Sequence, residues 1–320
     1  MTCKLHACPE EAQSLALTVI NSNNCYILFP IEDGSGFRRQ QLSQDELVVD
    51  GDLVMTRNSI GGGAFGSVFK GRLGNQPCAV KVLHSHVPQL LISLKTTVQD
   101  EALERFVNEC KILEKFKHRN VVRHLSTRID PESNLPILVM ELMDESLTCF
   151  LKSKENFLSL HTETSLSLDI ASGLRFLHSE SIIHRDICSD NVLLLHNNGA
   201  PIAKVSDFGM SRILRPDCRS LTTLGHRLAF LPPEAGAIAR KDYDFSLDIF
   251  SFGVVVIQIV MRASEIVSVA DRDDLVKKIE VTHPLHGLIQ GCIKYEKEKR
   301  PSAQDICHSL DFKVEELKRM

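Results

Sequence analysis

Residues 249–261 read IFSFGVVVIQIVM, and no other stretch limits the fold of this chain so tightly. As a helix the run is apolar on every side, so it has to be enclosed all round. A membrane span needs about 20 such residues, and this shorter run also carries Gln258. The expectation is a buried helix inside a large helical core. The 320 residues suffice for one large domain, or for two lobes with a cleft between them.

The hydrophobic share of 43% and charged share of 24% are those of an ordinary soluble globular protein. A net charge of -4 gives no reason to expect nucleic acid or an anionic membrane as partner. The ten cysteines are irregularly spaced, with no Cys-x-x-Cys pair and no zinc-type Cys/His set. They read as reduced thiols of a cytoplasmic protein. The N-terminus has no basic start followed by an apolar run, so no signal peptide is predicted.

Residues 1–50 carry no usable motif. They are expected to form a partly flexible N-terminal extension of unknown role, loop-like at Asn21–Asn24 and Gly34–Gly36. From Leu53, VMTRNSIGGGAFGSVFKGRLGNQPCAVKVL predicts short strands, with GNQP at 74–77 as a hairpin tip. Residues 87–100 read as a loop leading into a helix. In EALERFVNECKILEKF, Leu103, Phe106, Val107, Cys110, Leu113 and Phe116 recur at spacings of three and four. Glu109 shares that apolar face, where an unpaired carboxylate is costly, so it needs a partner. After LPILVMEL at 135–142 strand signals thin out, and residues 160–180 are helical in period. Helix is expected again from Leu275 on, ending in a charged helical tail at 313–320. Strands before helices predict an α+β protein of two lobes.

Several motifs bear on chemistry. Gly61, Gly63 and Gly66 would let backbone approach a phosphate closely. The same glycines match a dinucleotide-binding fingerprint, but that requires a helix directly after them. Here Ser67-Val68-Phe69-Lys70 predicts a strand. In AVK, Ala79 and Lys81 point to one face of a strand, where a small residue admits a flat base and a lysine reaches phosphates. Glu109 is the natural partner of Lys81. In HRDICSDNVLL, at 184–194, Asp186 is placed to accept the proton of an attacking hydroxyl, and Asn191 with Asp207 of DFG would hold Mg²⁺, which prefers oxygen ligands. His184 reads as a packed histidine that orients the loop.

Glycine loop, AVK, helix glutamate, HRD-x4-N and DFG occur once each and in this order, followed by PPE at 232–234 and DIFSFG at 248–253. On these motifs, residues from about 53 to 312 resemble a eukaryotic protein kinase domain. DFGMSR, DIFSFGVV and the absence of tryptophan resemble the tyrosine-kinase-like group most. The resemblance implies a bilobal fold: a small antiparallel sheet with one helix, about 51–142, and a larger, mainly helical lobe, about 143–312. It implies ATP and Mg²⁺ as cofactors and a protein as substrate. Ile60 and the three glycines would cover the ATP phosphates. Val68 and Ala79 would sandwich the adenine with Leu193. Lys81 would hold phosphates and pair with Glu109. Met140 would be the gatekeeper, and Glu141 to Met143 the hinge. Arg185 would meet a phosphate on the activation segment, with Phe208 and Gly209 completing DFG. Glu234 would pair with Arg300, and Asp248 would cap the buried helix and hold the HRD backbone.

Two departures stand out. Serine/threonine kinases place a lysine two residues after the HRD aspartate, and tyrosine kinases an arginine there or two further on; this chain has Cys188 and Asp190. A lost charge-stabilising group costs on the order of 3 kcal/mol in a transition state. Before PPE stands Arg227-Leu228-Ala229-Phe230, which follows neither acceptor pattern. Ser220, Thr222 and Thr223 would be phosphorylation sites that pair with Arg185, or parts of an unmodified polar loop. Cys188 and Cys218 are lone thiols, either inert or redox-sensitive. The chain thus reads as a kinase acting on serine or threonine rather than tyrosine. The alternative is a pseudokinase scaffold that binds nucleotide or partner proteins.

Overall fold

The computed structural model of the chain describes residues 2–4, 17–21, 24–30, 37–41, 45–62, 66–83, 95–131, 133–153, 158–196, 200–213, 228–236 and 244–319. The chain divides into two compact units, residues 1–114 with 123–142 and residues 115–122 with 143–320.

The first unit contains two sheets. Strands β1 (Thr2–Lys4), β2 (Leu17–Asn21), β3 (Asn24–Pro30) and β4 (Phe37–Gln41) form an antiparallel meander in chain order. Asn21 pairs with Asn24, so the loop-like asparagines stand where one strand returns as the next. The β-branched and aromatic residues of LTVI and CYILF suit strands. The second sheet holds β5 (Glu46–Asp50), β6 (Leu53–Gly62), β7 (Gly66–Leu73), β8 (Gln76–Leu83), β9 (His124–Ile129) and β10 (Pro136–Glu141). Its order is β5-β6-β7-β8-β10-β9, antiparallel throughout. The predicted hairpin tip lies between β7 and β8, where Gly74 takes φ +58, a value a side chain would resist. One face of this sheet buries Leu53, Cys78, Val80, Ile137 and Val139 as a continuous core. Among the described residues this unit's helix is α1 (Lys95–Lys115).

The second unit is mainly helical: α2 (Leu147–Lys152), α3 (Leu160–Ser179), α4 (Ser246–Met261), α5 (Val269–Lys278), α6 (His286–Cys292) and α7 (Ala303–Arg319). Helix α4 contains the apolar run, and every residue from Leu247 to Ile259 is buried. A Cβ on Gly253 would stand 2.7 Å from the Cβ of Cys292, so the close approach of α4 to α6 requires glycine there. Short strands β11 (Glu145–Ser146), β13 (Val192–Leu195) and β14 (Ile202–Val205) make one small sheet, and β12 (Ile182–Ile183) pairs with β15 (Arg212–Ile213). The stretch from Leu275 on is not one helix. It breaks before α6 and again before α7, where Pro284 and Pro301 cannot donate to a helix ladder. The 313–319 tail is the last part of α7. Among the described residues no helix is long and apolar enough to cross a membrane. The whole is the small-sheet, large-helical architecture of the bilobal protein kinase fold.

Candidate active site

Strand register groups the candidate residues of the first unit. Val68 lies opposite Lys81 across β7 and β8, and Ala79 lies opposite Met140 across β8 and β10. Side chains two apart on a strand share a face, so Val68, Lys81, Ala79 and Met140 all stand on the side opposite the Val80 core. Ala79 and Met140 are buried, and Val68 is half-buried. The Lys81 ammonium meets the Glu109 carboxylate of α1 at 2.7 Å, and Glu109 is 2% exposed. The buried glutamate thus has the partner its position requires.

Ile60 and Gly61 are exposed at the end of β6, and Gly61 pairs with Val68. Strand β7 starts at Gly66, not a helix, which removes the dinucleotide-fold reading. Gly66 itself is required by packing, since a Cβ there would meet the Val82 carbonyl at 2.7 Å. Gly63 lies outside the described residues. At the end of β10, Glu141 holds both backbone groups of Arg123: its N–H donates to the Arg123 carbonyl at 2.9 Å, and its side-chain Oε1 accepts from the Arg123 N–H at 2.7 Å.

The second unit holds the catalytic loop. Met143 is buried, and among the described residues its backbone N–H has no hydrogen-bond partner. Such an orphaned donor fits the edge of an adenine ring. Leu193 is half-buried in β13. The Asn191 amide donates to both the carbonyl and Oδ2 of Asp186, at 2.8 and 2.9 Å. That leaves the Asn191 side-chain oxygen for another partner. Ser206 donates to the Asn191 carbonyl through both its N–H and its Oγ, each at 2.9 Å. Asp207 follows directly, in a left-handed conformation at φ 61. An amide oxygen and a carboxylate are hard donors of the kind that Mg²⁺ prefers, and Ser206 ties the backbone of Asn191 to the residue before Asp207. Phe208 is fully buried, with its ring edge-on to His184 at 5.0 Å, and Gly209 sits in the short turn after it.

His184 is buried, as a loop-orienting residue should be. Its Nε2 lies 3.0 Å from the Ser206 carbonyl, and its Nδ1 accepts from the Asp186 N–H at 3.3 Å. Together these assign a neutral ring with its proton on Nε2. Asp248 anchors the same loop from α4. Its Oδ2 accepts from the His184 N–H and its Oδ1 from the Arg185 N–H, at 2.9 and 2.8 Å. Burial alone would raise its pKa, but hydrogen bonds from His178 and the Arg185 backbone hold it below the ordinary value. The sequence expected Asp248 to cap α4 as well as hold the HRD backbone, but it lies within the first turn and spends its oxygens on the loop. The Ser246 N–H is met by Asp244 instead, at 2.8 Å. Arg185 is buried at φ 72.

Arg300 grips Glu234 with both ends of its guanidinium, at 2.5 and 2.8 Å, and lies over the Phe250 ring at 5.0 Å. Two contacts escaped the sequence reading. His178 Nε2 meets Asp248 Oδ2 at 2.9 Å, and Thr148 Oγ donates to Ser189 Oγ at 2.8 Å, tying α2 to the catalytic loop. Their partners stand 70 and 41 residues away, and no local pattern announces either.

The protein tyrosine and serine/threonine kinase family matches residues 54–310. The chain belongs to the protein kinase family. The probable serine/threonine-protein kinase kinY of Dictyostelium discoideum is 29% identical over 88% of this chain and 51% of its own length. The probable serine/threonine-protein kinase kinX of the same organism is 30% identical over 79% of this chain and 23% of its own length. Ephrin type-B receptor 5 of Gallus gallus is 28% identical over 82% of this chain and 26% of its own length. This kinase therefore spans about half of the first relative and about a quarter of the other two. Its two departures from the family pattern can be placed in part. Cys188 is 1% exposed, so the cation position is filled by a packed thiol, and Asp190 beside Asn191 is half-buried. Arg227, Cys218, Ser220, Thr222 and Thr223 lie outside the described residues.

Proposed function

We propose that this kinase transfers the γ-phosphoryl group of ATP, with Mg²⁺, to serine or threonine hydroxyls of protein substrates. The observation that carries the reading is the Asp186 carboxylate, held at 2.9 Å by an asparagine whose own backbone is tied to the residue before Asp207. Asp186 is half-buried and aimed by that amide, which suits a group that takes the acceptor hydroxyl's proton. Asn191 and Asp207 would hold Mg²⁺, which supplies charge neutralisation on the phosphates when bound. Lys81, aimed by Glu109, orients the α- and β-phosphates. Val68, Ala79 and Leu193 hold the base, and the Met143 N–H donates to its edge. With no cation at Cys188 or Asp190, charge on the transferring group falls to Lys81 and the metal-holding pair alone. The reaction is then slower than in a kinase that keeps the third charge.

Serine/threonine preference is supported by the names of the two Dictyostelium relatives; the ephrin receptors favour tyrosine as the second reading. A cytoplasmic site of action is supported by the free thiols of Cys78, Cys110, Cys149, Cys188, Cys292 and Cys307. The test is incubation of the purified chain with Mg²⁺, γ-labelled ATP and a generic protein substrate, beside Asp186→Asn. Label on serine or threonine that drops at least about 100-fold in the variant is expected. Label on tyrosine would reassign the acceptor. Bound ATP without any label would make the chain a scaffold.

A further inference from the structure

A cavity of about 470 Å³ opens in the second unit between one side of α3, the far end of α7, the 118–120 turn and the start of β14. None of its lining residues belongs to the catalytic loop or to the segment around Asp207. Arg119 and Arg175 line it. Among the described residues neither guanidinium has an ion pair or a hydrogen bond. Each therefore keeps its full fork of donors for a planar oxyanion.

His118 adds a third donor. Its Nδ1 accepts from the Asn120 N–H at 3.1 Å, so the neutral ring carries its proton on Nε2. The ring stacks on Phe176 at 4.7 Å. Burial lowers its pKa, and the charges of Arg175, Arg119 and Lys204 lower it further, which favours the neutral ring. Among the described residues the Nε2–H has no partner.

The balance of charge narrows the ligand. Arg119, Arg175 and Lys318 face two lining carboxylates, Asp169 and Asp311, an excess of one positive charge. Lys318 also meets Glu315 at 2.9 Å, but that pair is exposed and holds the lysine weakly. Asp169 is engaged by the Ala203 N–H at 3.0 Å, whereas Asp311 is exposed at the rim. With Asp169 engaged and Asp311 at the rim, the two arginine forks are left to meet carboxylates of a ligand, while one excess charge gives only weak attraction to a densely charged phosphate surface. Leu168, Pro201 and Val314 give apolar wall for the residues beside them.

We propose that this pocket docks a segment of a protein partner rich in aspartate or glutamate, received by Arg119, Arg175 and the His118 Nε2–H. Binding there does not depend on phosphoryl transfer, so the inference stands or falls apart from the proposed activity.

The experiment is fluorescence anisotropy on the full chain, using a labelled peptide of alternating glutamate and leucine beside its lysine–leucine counterpart. The acidic peptide should bind at least about ten-fold tighter than the basic one. The Arg119→Ala/Arg175→Ala double variant should lose at least about ten-fold in affinity for it. Asp311→Lys should bind the acidic peptide more tightly than the wild type, and it decides the matter if the double variant melts early. Equal affinity for both peptides would overturn the proposal, as would a folded double variant that binds like the wild type. So would displacement of the peptide by millimolar inorganic phosphate, or by phosphatidylserine vesicles, since either would identify a different occupant.

Discussion

Glu109 is 2% exposed, and a carboxylate so placed depends on the Lys81 ammonium at 2.7 Å. Removing one partner of a buried pair leaves the other charge uncompensated. Lys81→Met should therefore destabilise the fold by about 2–3 kcal/mol, less than for a sealed pair because Lys81 is 19% exposed. Urea titration of this variant, of Glu109→Gln and of the double variant checks it: additive losses would mean that the pair is not coupled. The same scale separates two thiols. Cys149 is exposed on α2, while Cys188 is 1% exposed in the catalytic loop. Reactivity needs access as well as thiolate. Iodoacetamide should label Cys149 in the native protein and Cys188 only after unfolding, as read by peptide mass spectrometry. Native labelling of Cys188 would revive a redox role for it.

Helices α3 and α4 carry the loop between them. Asp248 of α4 receives the His184 and Arg185 N–H groups, and His178 at the end of α3 closes on the same carboxylate. At the other end of α3, burial pushes the Glu163 carboxyl up to about 7, against the opposing pull of Arg262. Its Oε2 lies 3.3 Å from His283 Nε2 without making a hydrogen bond. An acid whose pKa is raised on folding favours the folded state while protonated. Its contribution is complete below the ordinary glutamate value and is lost as pH rises through about 7. The change is on the order of 3 kcal/mol. Glu163→Gln should remove that loss, so the variant gains on the wild type between pH 5 and pH 8 in urea midpoint. Parallel pH profiles would show that the buried carboxyl ionises without penalty.

For the whole molecule, the residues proposed to hold the nucleotide belong mainly to one compact unit, and those proposed to accept the proton and hold the metal to the other. A ligand that uses both stabilises the folded chain by mass action, by about 2.7 kcal/mol at a hundred times its Kd. Mg²⁺ with ATP should thus raise the thermal midpoint by several degrees. Asp207→Asn should remove most of the Mg²⁺-dependent part and keep the rest. A shift that is equal with and without Mg²⁺ in the wild type would count against the metal role of Asn191 and Asp207.

Local chemistry was enough for much of this. The apolar run predicted the all-buried α4, alternation and glycines predicted β6 to β8, and spacing in AVK put Ala79 and Lys81 on one face. The order of motifs pointed to the kinase family because each motif is a short contiguous pattern. The tertiary structure decided what depends on residues far apart. It removed the expected helix cap from Asp248 and left it only the hold on the HRD backbone, brought His178 to that carboxylate across 70 residues, and joined Thr148 to Ser189. It also made Cys188 a packed thiol and, among the described residues, left Arg119 and Arg175 without partners beside a cavity. A sequence specifies period and propensity along the chain. Which carboxylate finds which donor, and which cation finds none, is decided only when packing fixes what lies nearby and what water is shut out.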